Sequence, residues 1–109
     1  MNALTINKTA RTANKWLEAD QIIAERFGKA AFNAEFRLLL LLLPVECVSI
    51  KQAFLQCALS NRAFYLLILA LKERKIITVA PDSKDRRVKL IRLEPQARAH
   101  LDAIVSHLA

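Results

Sequence analysis

The hydrophobic positions of this chain change spacing near residue 76. Up to Arg74 the apolar residues return every three or four positions, the period of a helix face. Ala13, Trp16, Leu17, Ile23, Ala24 and Phe27 outline a first helix over Ala13 to Phe27, with Glu18, Gln21 and Glu25 turned away. Thr12 is placed to cap its start and Gly28 to end it in a left-handed turn. Residues 1 to 11 read as a mobile arm. Asn33 can cap a second helix from Ala34 to Leu43, stopped by Pro44. Its run Leu38 to Leu43 is apolar on every side, which suits a helix buried all round. Ser49-Ile50-Lys51-Gln52 is a capping box for a third helix ending near Cys57 or Ala58. Ser60 caps a fourth helix reaching Arg74, and Leu59 before it is placed to pack on Phe64 as a staple. Phe64, Leu67, Ile68 and Leu71 form the inward stripe of that helix. Arg62, Ala63, Tyr65, Leu66, Leu69 and Ala70 are left to face outward.

Beyond Lys75 the pattern becomes that of strands. Ile76 to Val79 and Val88 to Leu93 are β-branched runs, and in the second Val88, Leu90 and Arg92 share a face. The turn Pro81-Asp82-Ser83-Lys84-Asp85-Arg86-Arg87 joins them. Pro95 suits the first turn of a last helix reaching His107 or Leu108, with Ala97, Leu101, Ile104, Val105 and Leu108 as its stripe. The order predicts a mainly α fold with a small antiparallel β-wing, a winged helix-turn-helix flanked by terminal helices. Residues 1–33 form the arm and first helix, 34–93 the winged helix-turn-helix, and 94–109 the closing helix. The terminal stripes exceed what so small a winged core needs. Trp16, Leu17, Ile23, Leu101, Ile104, Val105 and Leu108 are therefore the candidate interface of a twofold dimer. The alternative is that both stripes fold back on their own core.

Composition narrows the function. One domain of 109 residues, 54% hydrophobic and with a single Gly, is a packed chain rather than a disordered one. Its net charge is +7, and Lys72 to Arg92 carries eight basic residues against three acidic ones. Charge of that sign favours a polyanion. The longest apolar run is about half the ~20 residues that a membrane span needs, and the N-terminus has no apolar core for a signal peptide. Cys47 and Cys57 lie in apolar surroundings without CxxC spacing or a nearby His, so buried thiols in a reducing cytoplasm are expected rather than a disulfide or a metal site. No catalytic residue and no cofactor site is legible. A single Gly allows no phosphate-cradling loop, His100 and His107 lie on the last helix with Asp102 on another face, and no Ser or Cys has a visible base partner.

The chemistry that remains is recognition of double-stranded DNA. Arg62 stands in the first turn of the fourth helix, the part that reaches base edges, and an arginine there can hold guanine O6 and N7 together. Ser60 and Asn61 can reach phosphate, and Tyr65 a phosphate or a thymine methyl. In the wing, Lys84, Arg86, Arg87 and Lys89 crowd a few residues, and Asp82 or Asp85 can hold an arginine fork in one direction. Leu66 and Leu69 supply no hydrogen-bond pattern. A contiguous apolar helix face more often marks a protein contact, which keeps open a protein-interaction module on the outer face of this helix. A plasmid or phage replication or partition factor would use the same DNA contacts.

Pro81-Asp82-Ser83-Lys84-Asp85-Arg86-Arg87-Val88 followed by Leu93 resembles the wing pattern of the MarR (multiple antibiotic resistance regulator) group of prokaryotic winged-helix transcription factors. The pattern is an Asp, two residues, a second Asp, one residue and an Arg, here Asp82, Asp85 and Arg87. Leu71-Lys72-Glu73-Arg74-Lys75-Ile76-Ile77 is similar to the family's helix end leading into the wing, and Glu94-Pro95-Gln96-Ala97 to the start of its next helix. The resemblance covers roughly residues 34 to 101, and only the wing motif is specific. It implies a recognition helix over about 60–74 in the major groove and a wing over about 81–89 on the backbone and minor groove. Arg87 would be paired with an Asp, Arg86 and Lys84 would meet phosphates, and the terminal helices would form a homodimer. Many members sense a small molecule between the dimer and winged regions, but no residue here identifies one. The chain departs from the pattern in three respects. Lys75 stands where the family usually has Gly, so a lysine must turn left-handed or the helix must end differently. Glu94 replaces a Thr cap. The chain is also shorter than typical members, so its dimer helices must be abbreviated.

Overall fold

A computed structural model describes residues 8–108, with the backbone alone at 108. The elements run α1 (Lys8–Phe27), α2 (Ala34–Leu42), β1 (Val48–Ser49), α3 (Ile50–Cys57), α4 (Asn61–Glu73), β2 (Ile77–Pro81), β3 (Lys89–Leu93) and α5 (Pro95–Leu108). The strands form one antiparallel sheet in the order β1-β3-β2. The fold is thus mostly helical with a small antiparallel sheet, the winged helix-turn-helix expected. Among the described residues no single helix is long and apolar enough to cross a membrane.

Helix α1 begins earlier than its sequence suggests. Thr9 and Ala10 are buried, so an extra turn has something to pack against, and residues 8–11 are helical rather than an arm. Residues 1–7 of that arm lie outside the described residues. Thr12 is not a cap: it sits inside the helix, and its hydroxyl donates back to the Lys8 carbonyl at 2.9 Å. Gly28 ends α1 at φ +79°, in the left-handed region. Phe27, expected inward, is 79% exposed. A 20-residue helix is about 30 Å long, and α1 outruns the helices it packs on.

Two polar anchors escaped the sequence reading. Asp20 is 2% exposed, accepts the Phe32 N–H at 2.8 Å, and has its other oxygen 3.8 Å from Arg37 Nε. It ties the α1–α2 loop to α1. Arg98, on α5, donates to three carbonyls where α2 ends: Leu43 at 2.5 Å, Leu42 at 3.2 Å and Val45 at 2.7 Å. A helix end leaves carbonyls without partners, and the guanidinium satisfies them while complementing the negative end of the helix dipole. Burial pulls Arg98 below its ordinary pKa, countered by the charges of Asp102 and Glu46.

One hydrophobic cluster runs through every helix and the sheet. Phe64, Leu38, Leu40, Leu42, Leu71, Ile91, Val105 and Cys57 are its largest fully buried side chains. Each of the seven aliphatic and aromatic ones contributes roughly 1.5–3 kcal/mol relative to exposure. Leu101 and Val105 belong to this cluster. The dimer stripe expected of α5 is therefore corrected: these two residues pack on the chain's own core, and Ile104, 54% exposed, is left outside. Trp16 and Leu17 are half-buried against the same core, and Ile23 is half-buried. The Leu108 side chain lies outside the described residues.

The sheet has one strand more than the pattern predicts. In β1, Val48 pairs with Ile91 and Ser49 with Leu90. Two residues are too few to show an alternation, and Ser49 also caps α3, accepting the Gln52 N–H at 3.1 Å. In β3 the core face carries Ile91 and Leu93, with Lys89 and Arg92 exposed. Strand β2 extends to Pro81, tolerated because β2 is an edge strand.

Candidate nucleic-acid interface

Helices α3 and α4 meet at a bend of 118° across Ala58-Leu59-Ser60, within the range of a helix-turn-helix. Such turns often use glycine. Here Ala58 takes the left-handed conformation, at φ 56° and ψ 38°. Ser60 then opens α4 with extended backbone, and its Oγ accepts the Ala63 N–H at 3.1 Å. The hydroxyl's first role is thus structural. Leu59 and Phe64 enter the same cluster, which fixes the angle at which α4 leaves the turn.

Helix α4 divides along its length. Phe64, Ile68 and Leu71 are buried and Leu67 is half-buried. Asn61 and Arg62 are exposed in the first turn, and behind them Tyr65 (56%), Leu66 (56%), Leu69 (57%) and Ala70 lie open to solvent. The Tyr65 ring stands edge-on to Phe64 with centroids 6.0 Å apart, so its base is steadied by the core while most of it projects outward. The C-terminus of α4 closes in a Schellman motif. The Ile76 N–H donates to the Leu71 carbonyl at 2.9 Å, the Lys75 N–H to Lys72 at 3.0 Å, and Lys75 sits at φ +59°. Of the two routes open to it, Lys75 takes the left-handed one. Arg74 pairs with Glu35 of α2.

The wing tip is held by its aspartates. Asp82 Oδ1 accepts the Lys84 N–H at 3.1 Å, and the Asp82 N–H donates to the Val88 carbonyl at 2.8 Å. Asp85 accepts the Arg87 backbone N–H at 3.1 Å and its guanidinium through Nε (3.1 Å) and Nη2 (3.2 Å). These Arg87 hydrogen bonds hold the Asp85 carboxyl below the usual carboxylate range. Arg87 is thereby fixed in direction although its side chain is 91% exposed. Lys84, Arg86 and Lys89 are exposed and make no ion pair among the described residues. Behind the wing Thr78 donates to Glu94, and the Glu94 N–H donates to the Ile76 carbonyl at 2.9 Å, so Glu94 joins α5 to β2 where a capping Thr was absent. Among the described residues no group of three or more His, Cys, Asp or Glu could hold a metal ion.

The arrangement offers anions an arginine in the first turn of a helix and a hairpin tip with three unpaired cations and one oriented fork. Outside the predicted set, Lys51 and Leu55 are exposed on α3, the helix that crosses the backbone in this motif. The only sequence signal for them was their place on the outer side of α3.

No protein-family model and no curated protein matches the sequence. Solved structures do. A mutant of MarR from E. coli, in complex with operator DNA, is 17% identical and matches over 96% of this chain and 68% of its own, with a TM-score of 0.59. BpsR of Bordetella bronchiseptica, whose DNA binding is regulated by 6-hydroxynicotinic acid, is 26% identical over 88% of this chain and 67% of its own, with a TM-score of 0.58. A mutant of S. aureus MepR is 20% identical over 84% and 65%, with a TM-score of 0.61. This chain spans about two thirds of the length of each. The architecture is that of MarR-type winged-helix proteins.

Proposed function

We propose that this chain, built on the MarR-type winged-helix fold, is a double-stranded DNA-binding transcriptional regulator that works in the cytoplasm as a homodimer. Helix α4 enters the major groove, and the wing over residues 81–89 lies on the backbone and minor groove. One observation carries the reading: a tight helix-turn-helix opens its second helix with exposed Asn61 and Arg62, and a hairpin with exposed Lys84, Arg86 and Lys89 follows it. The operator complex of E. coli MarR and the regulated DNA binding of BpsR support it, and neither favours a protein-interaction module.

Residues 34–93 serve DNA, while the segments 1–33 and 94–109 serve assembly. Ile22, Phe27 and Ile104 supply exposed apolar surface on the terminal helices for a second copy. Two recognition helices in successive major grooves, about 34 Å apart, call for a site with inverted-repeat symmetry. The test is a titration against a random-sequence duplex pool, with sequencing of what is retained. Binding should weaken at least tenfold between about 50 and 200 mM salt, because released counterions drive it. Absence of duplex binding at the low-salt end refutes the reading.

A further inference from the structure

The exposed stripe of α4 is made of hydrocarbon where a base-reading helix usually carries hydrogen-bonding groups. Arg62, Tyr65, Leu66, Leu69 and Ala70 fall at the spacing of one helix face, and all five are exposed. Polar reach is concentrated at the N-terminal end, in Asn61, Arg62 and the Tyr65 hydroxyl, while the Ser60 hydroxyl is engaged by its cap. Past Tyr65 the face offers only the side chains of Leu66, Leu69 and Ala70 until Glu73.

The floor of the major groove has one apolar feature, the thymine 5-methyl group. Opposite Leu66 or Leu69 either base pair would lose water from two acceptors and an amino donor and gain no partner, so that cost is common to both and only the methyl separates them. An A·T pair turned to bring its methyl against a leucine buries apolar surface on both sides. Resting on the proposed DNA-binding reading, we infer that Leu66 and Leu69 determine specificity by packing on thymine methyl groups, with Arg62 reading a guanine at the helix start. Arg62 and Leu69 are seven residues apart, about 10 Å along a helix, so the guanine and the furthest thymine lie about three base pairs apart in one half-site. Thymine is selected by its methyl group, not by its hydrogen-bonding edge.

Deoxyuridine separates those two properties, since it lacks only the methyl. The full chain is titrated by fluorescence anisotropy, at one salt concentration, against the duplex enriched from the random pool and against the same duplex with half-site thymines replaced by deoxyuridine. Affinity should fall about fourfold per contacted methyl, the equivalent of one buried methylene. A chain carrying both Leu66→Ala and Leu69→Ala should bind the two duplexes equally. Both leucines are exposed, so these changes leave the core intact, and an unchanged thermal melt confirms it. If the native chain binds both duplexes alike, the inference fails and the DNA-binding reading stands. A loss of equal size in native and doubly substituted chains places the methyl contact elsewhere and also overturns the inference. If no duplex is bound at low salt, the functional reading falls and the inference with it.

Discussion

The outer face of α4 and the tip of the wing are both exposed and both belong to the winged helix-turn-helix, yet their chemistry is opposite. The wing carries Lys84, Arg86, Arg87 and Lys89 within a few residues, its backbone pinned by Asp82 and Asp85. The middle of α4 is uncharged and apolar, open at Leu66 and Leu69. Cations over phosphates attract any sequence and are screened by salt. An apolar stripe is indifferent to salt and discriminates between base pairs by whether a thymine methyl meets it. On the proposed function the wing therefore supplies affinity, and α4 supplies choice.

The largest effect that can break this division comes from the wing. Lys84→Ala, Arg86→Ala and Arg87→Ala together should weaken binding to specific and random duplexes alike. The slope of log affinity against log salt should fall by about one for each cation that met a phosphate. Arg87→Ala alone should also lose affinity on every sequence, with an additional cost because Asp85 is left without its counter-charge beside the DNA. Salt titrations on both duplex types check this. Unchanged binding in the triple variant would remove the wing from the interface.

How far the sequence foretold this comparison depends on the kind of signal. The wing was legible because its cations and aspartates are adjacent in sequence and their hydrogen bonds are local; Asp85 to Arg87 spans two residues. The α4 face was legible because subtracting a helical stripe leaves its complement, and caps at Asn33, Ser49 and Ser60 act over three residues. Long-range contacts were not legible. Arg98 meets carbonyls more than fifty positions away, and nothing in its neighbourhood marks it as a helix cap. Asp20 reads as one more polar residue on α1 until the loop returns Phe32 to it. Leu101 and Val105 show the ambiguity of any apolar stripe, whose pattern is the same whether its partner is the same chain or a second one.

A smaller change sharpens the α4 side. Arg62→Ala removes the one guanidinium within α4, the group it shares with Arg86 and Arg87 of the wing. If Arg62 holds a guanine edge, its loss should cost roughly 1–3 kcal/mol on the enriched duplex. It should cost much less on random DNA, so the ratio between the two falls. Measured side by side, equal losses on both would make Arg62 one more phosphate contact and leave base choice wholly to the apolar stripe.

The smallest expected effect lies at the joint between the two regions. Lys75 ends α4 and leads into β2 at φ +59°, a conformation that costs a residue with a Cβ about 1–2 kcal/mol. Lys75→Gly removes that cost but widens the unfolded ensemble by about 0.4–1 kcal/mol. The Schellman hydrogen bonds of Lys75 and Ile76 use backbone groups only and survive the change. The balance favours glycine by about 0.5–1 kcal/mol, a rise in melting temperature of a few degrees for a domain of this size. DNA affinity should stay nearly level, because the bond pattern that sets the wing's angle to α4 is unchanged. A drop in melting temperature would mean that the lysine side chain makes a compensating contact. A large loss of affinity at unchanged stability would instead enrol Lys75 among the phosphate-facing cations, extending the basic surface from the wing onto the end of α4.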